Sequence, residues 1–487
     1  MFKKTKIVAT ISDLRCDVEF IRSLFNEGIN VVRMNSAHMT EEGFVQVINN
    51  VRAVSNTIGI MMDTKGPEIR MTATASGEKI VVKTGDKLRV IGDINVKSTP
   101  EQVSVSYPSI VADVSVGNTL LIDDGETALK VIDKAADHLT CEVMNDGTIG
   151  SRKSVNIPGV SINLPSVTEK DRKCIDIAIR NGADFIAHSF VRSKEDVLEV
   201  QKILDAHNSS IKIIAKIENQ EGVDNIDEIY EHAYGVMVAR GDLGIEVPQE
   251  KIPGIQRLLI RKAIEYKKPV IVATQMLHTM IENPRPTRAE VADIANAVYY
   301  GTDAVMLSGE TAYGKYPVEA VRTMATVARA AEISKLEEKD IPVPFKDDEY
   351  DTTSFLAKQA VKSCNRLNVK AIITDSLTGR TARTLAAFRC KSPVYAMCCK
   401  ENVVRELSVC YGINAEYQES TGYTTREHKK YFLKALNTLI DQKVINRNDT
   451  VAYLSGSFGE GGGTSFLEIN QVSKVLDGAD KYEVPVD

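Results

Sequence analysis

The chain has 487 residues, of which 43% are hydrophobic and 26% charged, and its formal net charge is −6. This balance is typical of soluble globular proteins and disfavours a strongly basic, nucleic-acid-binding protein. No apolar run approaches the roughly 18 residues of a membrane span, and the apolar stretch at the N-terminus is too short for a signal peptide, so we expect a cytoplasmic protein.

The first two-thirds of the chain repeats one pattern, in which a short apolar run is followed by a stretch with helical spacing of apolar residues. The eight runs are 6–11, 30–35, 59–64, 184–190, 211–218, 235–241, 270–275 and 303–308. Strands this apolar must be buried on both faces, which favours parallel pairing. Eight parallel βα units predict a closed (β/α)8 TIM barrel.

The repeat is interrupted once, between residues 64 and 184. This segment is rich in β-branched residues and turn pairs such as Asp124-Gly125 and Asp146-Gly147. Short strands separated by such turns predict a small all-β domain, a small β-barrel. Its insertion after the third strand places it over the C-terminal mouth of the barrel, where we expect it to act as a lid.

Past about residue 332, a charged stretch with two prolines is typical of a linker. The βα alternation then resumes, but too few strands remain for a second barrel, so we predict an open, mostly parallel α/β sheet. The predicted domains are the first part of the barrel (1–67), the lid (68–165), the second part of the barrel (166–335) and a C-terminal regulatory domain (336–487).

The eight cysteines include no C-x-x-C pair. A chain this long with so few cysteines is unlike a disulfide scaffold, and a structural zinc site is disfavoured. We expect buried, reduced thiols, because free cysteine is among the most buried residue types.

The C-terminal ends of barrel strands are where barrel enzymes place their working residues. These positions carry cations, carboxylates and hydroxyls, with no cysteine nucleophile and no Ser-His pair. The residues are Arg33, Asn35, Asp63, Thr64, Lys65, Ser189, Lys216, Glu218, Arg240, Asp242, Thr274, Gln275, Ser308 and Glu310.

Lys216 and Glu218 are two residues apart on a strand, so their side chains point to the same side. With Asp242 at the end of the next strand, two carboxylates and an ammonium group can converge. Carboxylates without His or Cys suit a hard divalent cation, Mg²⁺ or Mn²⁺. The alternative is a simple Lys–Glu salt bridge, which the repetition of charged residues at several strand ends disfavours.

Further positive charge comes from residues that have no competing acid–base role. These cations are Arg33, Arg70 and Lys170, in addition to Lys216. A metal ion surrounded by cations fits phosphoryl transfer, in which catalysis is mostly positioning and charge neutralisation.

Six segments, in order, resemble the pyruvate kinase family, and the resemblance spans the whole chain. They are DTKGPEIR (63–70), KIENQEG (216–222), VARGDLGIE (238–246), ATQML (273–277), NPRPTRAE (283–290) and MLSGETAYGKYP (306–317). The resemblance implies transfer of the phosphoryl group of phosphoenolpyruvate to ADP, giving ATP and pyruvate. It also implies Mg²⁺, K⁺ and a homotetramer.

The resemblance also implies roles for individual residues. Lys216 neutralises the phosphoryl group in transfer, Glu218 and Asp242 hold the divalent metal, and the backbone N–H groups at Gly241 and Asp242 receive the substrate carboxylate. Thr274 lies near the enolate carbon, and Ser308 and Glu310 match the region that delivers a proton to it. The nucleotide-side and phosphate-contacting residues are Arg33, Asn35, His38, Arg70 and Lys170.

The predicted potassium site departs from the family pattern. Asn35, Asp63 and Thr64 match the ligands, but the family motif R-x-N-F-S-H-G has a serine where this chain has Ala37. Glu68 is the residue found in potassium-dependent members. We therefore expect potassium activation with weakened affinity.

A second phosphate-type loop follows a predicted strand in the C-terminal domain and opens a helix. It resembles the loop that grips a sugar-phosphate activator, and its residues are Thr374, Ser376, Thr378, Gly379, Arg380 and Thr381. The alternative is an ordinary capped helix, since Ser and Thr favour N-caps. The partner loop 455–464 lacks the Trp and basic residues of family members that fructose 1,6-bisphosphate activates. It also contains Glu460, which would repel a second phosphate. We therefore expect a sugar-monophosphate effector or none.

Two rival functions stay open at this point. A metal-dependent lyase acting on pyruvate-like substrates needs the acidic pair but not the phosphate-directed cations. A catalytically silent, metabolite-sensing homologue predicts loss of Lys216, Glu218 or Asp242, all of which are present.

Overall fold

The computed structural model describes residues 3–37, 39–334, 351–419, 425–456 and 463–480. His38, the predicted linker 335–350 and most of the predicted partner loop (457–462) lie outside these residues. Within the described ranges no helix is long and apolar enough to cross a bilayer.

The N-terminal two-thirds of the chain forms a closed barrel. Its strands are β1 (Lys6–Thr10), β2 (Val31–Asn35), β3 (Gly59–Asp63), β13 (Phe185–His188), β14 (Lys212–Ile217), β15 (Gly235–Ala239), β16 (Val270–Ala273) and β17 (Ala304–Leu307). They close in the order β1-β17-β16-β15-β14-β13-β3-β2, all parallel. The predicted TIM barrel is confirmed. Most predicted runs extend one or two residues past the strand, because the polar residues there turn into the loops of the mouth.

Helices follow the barrel strands, and the longer ones cover the outside of the barrel. They are α1 (Val18–Glu27), α2 (Glu41–Val54), α4 (Glu169–Arg180), α5 (Lys194–Ala206), α6 (Gln220–Asp224), α7 (Ile226–His232), α8 (Arg240–Glu246), α9 (Ile252–Tyr266), α10 (Arg288–Tyr300), α11 (Gly309–Ala312) and α12 (Pro317–Ser334). Local sequence fixes their ends. The helix α10 begins at a capping box of Thr287 and Glu290 and ends at Gly301, whose φ of 91° suits glycine.

The inserted segment folds as its own small β domain. Its elements are β4 (Ile69–Arg70), β5 (Ile80–Val82), β6 (Lys87–Ile91), β7 (Gln102–Ser104), α3 (Ile110–Asp113), β8 (Thr119–Ile122), β9 (Thr127–Lys134), β10 (Leu139–Val143), β11 (Gly147–Ile149) and β12 (Ser154–Asn156). Seven strands form a sheet in the order β4-β12-β8-β9-β10-β6-β7. A bridge between Met71 and Val105, just beyond the two end strands, closes the sheet on itself as predicted.

The lid lies over the barrel mouth. Asn156 Nδ2 donates to Glu246 Oε1 at 3.0 Å, and Arg192 Nη1 donates to the carbonyl of Ile162 at 2.7 Å. Between lid and barrel runs a cleft of about 360 Å³ that includes Asp242 in its wall.

The C-terminal domain is an open sheet with helices. Its elements are α13 (Thr352–Arg366), β18 (Ala371–Ser376), α14 (Arg380–Ala387), β19 (Val394–Cys398), α15 (Glu401–Glu406), β20 (Ile413–Tyr417), α16 (Thr425–Asp441), β21 (Thr450–Gly456), β22 (Thr464–Gln471) and α17 (Val472–Asp480). The order is β20-β19-β18-β21-β22, with only β22 antiparallel, which confirms the predicted mostly parallel sheet.

One local prediction in this domain is wrong. The apolar spacing of residues 402–411 predicts a single helix, but α15 ends at Glu406, continues as a 3₁₀ turn (Leu407–Val409) and leads through Gly412 (φ 70°) into β20. The strand β20 is a half-exposed edge strand with polar residues, so it lacks the apolar run that signals a strand.

Buried ion pairs fasten the C-terminal domain to the bottom of the barrel. Arg389 Nη2 lies 2.7 Å from Asp303 Oδ2, and Arg405 Nε lies 2.7 Å from Asp184 Oδ1. Both aspartates directly precede barrel strands, so this junction lies at the end of the barrel opposite the mouth.

Candidate active site

Lys216 lies at the centre of the charged cluster in the barrel mouth. Its Nζ is 2.9 Å from Glu218 Oε1, 3.2 Å from Asp63 Oδ1 and 2.7 Å from Ser189 Oγ. The same-side geometry expected for residues 216 and 218 therefore holds. Lys216 and both carboxylates are buried, so these charges act on each other with little screening by water.

Arg33 joins this cluster from β2. Its guanidinium pairs with the carboxylate of Asp63, with Nε 2.7 Å from Oδ2, and Nη1 donates to Thr10 Oγ1 at 3.0 Å. The side chain of Asp63 thus lies between Arg33 and Lys216 and holds the two cations side by side.

The electrostatics of the cluster keep Asp63 and Lys216 charged. Burial opposes ionisation of Asp63, but Arg33 and Lys216 outweigh it and hold the pKa of Asp63 below its usual range. Burial also opposes the charge of Lys216, yet Asp63 and Glu218 raise its pKa above the ordinary value. The neighbouring His188 behaves differently, because burial lowers its pKa to about 4 and leaves the ring neutral.

The acidic pair is suited to a divalent cation. Glu218 is buried and accepts a hydrogen bond from the backbone N–H of Phe190 at 2.6 Å. Burial, and then the charge of Asp242, raise the pKa of Glu218 to about 8 against the opposing effect of Lys216. A carboxyl with this pKa keeps its proton at neutral pH until a cation takes the proton's place, and its hard oxygen donors fit Mg²⁺ or Mn²⁺.

Two carboxylates are all that this site supplies. Among the described residues no group of three or more His, Cys, Asp or Glu could hold a metal ion. Mg²⁺ is commonly held by one or two carboxylates and keeps its other positions for water and substrate oxygens, so the number of donors also fits.

The loop after β16 is held in an unusual backbone conformation beside Gly241. Thr274 and Gln275 have φ values of 68° and 53°, which only a well-supported backbone maintains. Arg240 provides the support, since its Nη2 donates to the Thr274 carbonyl at 2.6 Å and its Nη1 pairs with Asp293 at 2.7 Å. Thr274 Oγ1 in turn accepts from the Gly241 N–H at 2.8 Å.

This last contact bears on the predicted carboxylate site. Gly241 and Asp242 lie in the first turn of α8, where backbone N–H groups lack partners within the helix. In this structure the Gly241 N–H is bonded to Thr274, so a substrate carboxylate has to displace that hydroxyl.

Ser308 and Glu310 follow β17. Glu310 is buried, and its two oxygens accept from the backbone N–H groups of Leu277 (3.1 Å) and Ser308 (2.7 Å). Glu310 therefore braces the loops after β16 and β17 against each other. This geometry does not favour Glu310 as a proton donor, whereas Ser308 stays at the strand end beside the mouth.

The remaining predicted cations lie at the edge of the cluster. Arg70 stands on the lid strand β4, with its guanidinium held by Glu68 (2.5 Å) and the carbonyl of Arg152 (2.8 Å). Lys170, in the first turn of α4, donates to the Ala37 carbonyl at 3.3 Å. No hydrogen bond or ion pair among the described residues joins either side chain directly to Lys216.

The predicted potassium ligands lie on adjacent strand ends. Asn35 is paired opposite Asp63 in the register of β2 and β3, and Thr64 follows immediately. All three supply oxygen donors, which fits a hard monovalent cation. Asn35 Oδ1 accepts from the Ala37 N–H at 3.0 Å, so the substituted position shapes this loop through its backbone.

The predicted effector loop is partly buried. Thr374 is fully buried and donates to the Asp375 carbonyl, so it belongs to the framework and offers no surface to a ligand. Ser376 Oγ accepts from the Gly379 N–H at 3.0 Å, which closes the loop before α14, and no side chain caps this helix at Gly379, so the capped-helix alternative does not describe it.

The exposed part of the loop is smaller. Thr378 and Arg380 are exposed, and Thr381 Oγ1 contacts Thr464 Oγ1 at 2.7 Å. Arg383, one turn along α14, lies over the ring of Tyr234 at 5.1 Å and donates to the Thr378 carbonyl. Tyr234 directly precedes β15, so the loop is connected through packed side chains to a strand of the barrel.

Sequence reasoning gave no role to several residues that organise the site. Ser189 Oγ accepts from Lys216 and donates to the Thr64 carbonyl at 2.7 Å, and Asp171 accepts from the Lys65 N–H at 2.9 Å while capping α4. The capping-box spacing of Thr168 and Asp171 is a readable signal. The sequence shows only that Thr10 is a polar residue at a strand end, which does not predict its contact with Arg33.

Comparison with known proteins gives a consistent result. Two family models match, described as pyruvate kinase, barrel domain (residues 2–321) and pyruvate kinase, alpha/beta domain (residues 354–470). The chain is 48% identical over 484 residues to a pyruvate kinase of Borreliella burgdorferi, covering 98% of this chain and 99% of that protein. It is 44% identical to a pyruvate kinase of Geobacillus stearothermophilus, covering 98% of this chain and 81% of that one.

A solved structure agrees with these sequence matches. The crystal structure of a pyruvate kinase from Cryptosporidium parvum matches with a TM-score of 0.90 and 36% identity, covering 96% of both chains. The barrel, lid and C-terminal sheet are therefore arranged alike in the two proteins.

Proposed function

The chain belongs to the pyruvate kinase family, and we propose that the charged cluster around Lys216 performs the family's reaction. The enzyme is a phosphotransferase of glycolysis that moves the phosphoryl group of phosphoenolpyruvate to ADP, giving ATP and pyruvate. The observation that carries the residue assignment is the buried ammonium of Lys216 beside Arg33, aligned by Asp63 and Glu218.

Lys216 and Arg33 stabilise the phosphoryl group in transfer. The transition state spreads negative charge over the phosphoryl oxygens, and fixed cations stabilise it best where water is excluded. Both cations are already oriented by carboxylates in the free protein, so little reorganisation is needed when substrate binds. Arg70 and Lys170 add positive charge at the edge of the mouth.

Glu218 and Asp242 would hold Mg²⁺ or Mn²⁺, which when bound neutralises substrate oxygens. The chain's own contribution is to orient these carboxylates, through the Phe190 N–H for Glu218 and through the start of α8 for Asp242. The N–H groups of that first turn receive the substrate carboxylate once Thr274 releases Gly241.

The second half of the reaction is protonation of the enolate. Thr274 stands on the strained loop that Arg240 supports, on the substrate side of α8. Ser308 lies at the end of β17, and Glu310 fixes its backbone N–H. We assign proton delivery through water to the Thr274 and Ser308 side of the mouth, with Glu310 as a positioning residue.

The nucleotide side is assigned to the loop after β2. Asn35, with Arg33 and Lys170, faces the incoming ADP, and Asn35, Asp63 and Thr64 would hold K⁺. His38 belongs to the same proposed set by resemblance alone. Ala37 removes one hydroxyl donor, so the proposed K⁺ affinity is weak.

Four further assignments belong to the same proposal. The domains divide at 67/68, 165/166 and 335/336. The enzyme is a homotetramer located in the cytoplasm, and a sugar monophosphate is its effector if one exists. Sedimentation of the purified chain tests the tetramer directly.

A coupled assay tests the function. Purified enzyme with phosphoenolpyruvate, ADP, Mg²⁺ and K⁺ is expected to form pyruvate and ATP in equal amounts, and Lys216→Met to lower the rate of both by about 10²–10³-fold or more. Pyruvate formation without ATP would indicate a lyase or phosphatase. Binding of phosphoenolpyruvate without turnover would indicate a metabolite sensor.

A further inference from the structure

Two buried cysteines of the C-terminal domain lie in contact. Cys364 is in the last turns of α13, and Cys390 is in the short connection between α14 and β19. Their Sγ atoms are 3.5 Å apart, and the thiol of Cys390 donates to Cys364. Their residues are 1% and 4% exposed, and Lys391, which follows Cys390 in the chain, is exposed.

This contact distinguishes the pair from the other thiols. All eight cysteines are in the described part of the chain and all are free. Among them, only Cys364 and Cys390 share a sulfur–sulfur hydrogen bond. The adjacent Cys398 and Cys399 instead bond to the Ala396 carbonyl and to the Tyr431 hydroxyl.

The surroundings of the pair shift the pKa values of the two thiols in opposite directions. The hydrogen bond from Cys390, then a hydrogen bond with Ser392 and the positive charge of Lys391, lower the pKa of Cys364 against the effect of burial. The same hydrogen bond and burial raise the pKa of Cys390. A cysteine of lowered pKa in contact with one of raised pKa is the arrangement in which the first attacks an oxidant and the second resolves the product.

The pair also adjoins the junction with the barrel. Arg389, immediately before Cys390, has a φ of 51°, and its guanidinium pairs with Asp303 and donates to the Gly301 carbonyl at 2.9 Å. The backbone that carries Cys390 is therefore held in place by the barrel, while Cys364 belongs to the first helix of the C-terminal domain.

We propose that Cys364 and Cys390 form a reversible disulfide when the enzyme meets hydrogen peroxide. The Cys364 thiolate attacks one peroxide oxygen, the O–O bond breaks, and hydroxide leaves. Cys390 then attacks the sulfur of the resulting sulfenic acid, the S–O bond breaks, and water leaves. The two sulfurs lose two electrons, which reduce the peroxide, and they close from 3.5 Å to about 2.05 Å.

The disulfide joins α13 to the connection that carries Arg389. In a reducing compartment such a bond is transient and serves sensing rather than scaffolding. The two sulfurs that form it are already in contact, 3.5 Å apart.

Peroxide treatment of the full-length enzyme, followed by alkylation and mass mapping, tests this site. We expect a Cys364–Cys390 cross-link, a loss of two mass units and full reversal by dithiothreitol. Cys390→Ser is expected to leave a sulfenic acid on Cys364 that dimedone labels, with no cross-link. The control Cys398→Ser is expected to retain the cross-link of the wild type.

Three results would overturn the proposal. They are a different cysteine pairing, overoxidation of Cys364 to sulfinic acid while Cys390 stays reduced, and resistance of both thiols in the native protein at peroxide levels that oxidise the unfolded chain.

Discussion

The barrel mouth and the C-terminal loop are both suited to phosphate groups, and they are built differently. In the mouth, Lys216 and Arg33 are buried and paired with buried carboxylates. In the loop, Arg380 is the one cation among the described residues 374–381, and it faces water, while the hydroxyls of Thr374 and Ser376 are buried.

Buried, paired cations suit catalysis in the mouth, and an exposed cation suits regulation at the loop. Buried charges cost free energy of desolvation, but they stabilise a transition state without reorganising and are little affected by salt. An exposed arginine beside a helix start is screened and contributes little when no ligand is present. We therefore expect large, salt-resistant effects from changes in the mouth and small, salt-sensitive ones from changes in the loop.

The largest effect is expected for Lys216→Met. Loss of the ammonium removes transition-state stabilisation and leaves Asp63 and Glu218 with excess negative charge, so kcat for pyruvate formation should fall by about 10²–10³-fold or more. The coupled assay at low and high ionic strength measures it.

A control lies on the same strand. Lys212→Met removes a cation at the opposite end of β14, where it is 3.7 Å from Glu406, far from the mouth. We expect its kcat to stay close to wild type. Equal losses in the two variants would mean that Lys216 acts through folding rather than catalysis.

The contents of the mouth could be predicted because strand ends in a parallel barrel converge. The alternation of Lys216 and Glu218 and the position of Asp242 were readable for this reason. The positive φ of Thr274, the bracing by Glu310 and the contact of Gly241 with Thr274 could not be read, since they depend on loops packed against each other.

The C-terminal domain was harder to predict for a related reason. The strand β20 is half-exposed and polar, so burial left no apolar pattern in the sequence. The burial of Thr374 and the contact of Cys364 with Cys390 come from tertiary packing between elements that are separate in sequence.

Removal of potassium tests the edge of the mouth. Replacing K⁺ by tetramethylammonium at constant ionic strength should lower the rate about tenfold, the equivalent of one lost interaction of about 1.4 kcal/mol. Ala37→Ser should lower the K⁺ concentration for half-activation. An unchanged rate in tetramethylammonium would contradict the potassium site.

A smaller effect is expected at the C-terminal loop. Arg380→Ala should weaken activation by a sugar monophosphate such as glucose 6-phosphate by up to about fivefold, and less at high salt, because the side chain is exposed. Arg366→Ala, an exposed arginine on α13, is the control. A large fall in phosphoenolpyruvate half-saturation with micromolar fructose 1,6-bisphosphate would refute the monophosphate assignment.

The smallest effect is expected at an ion pair that joins the C-terminal domain to the barrel. Asp351 caps α13 and pairs with Lys267 of the barrel. Burial opposes its ionisation, but Lys267 and Ser354 lower its pKa to about 2. A lowered carboxyl pKa contributes stability above the unfolded value near 3.8, and this contribution is lost as the pH falls through about 2.

Asp351→Asn should therefore cost about 1 kcal/mol of unfolding free energy at pH 7, after allowance for partial exposure. The difference from wild type should shrink at pH 3. Denaturant titrations at the two pH values measure it, and a difference that grows toward acid would have the wrong sign for this pair.

The central claim is that Lys216 serves phosphoryl transfer while the Thr274 and Ser308 side of the mouth serves protonation. Proton NMR of pyruvate in D₂O, with enzyme, Mg²⁺ and K⁺, follows exchange of the methyl hydrogens without any phosphoryl transfer. Lys216→Met should keep exchange within about tenfold of wild type while its phosphoryl transfer falls by about 10²–10³-fold. Loss of exchange and transfer by the same factor would contradict this division of the site.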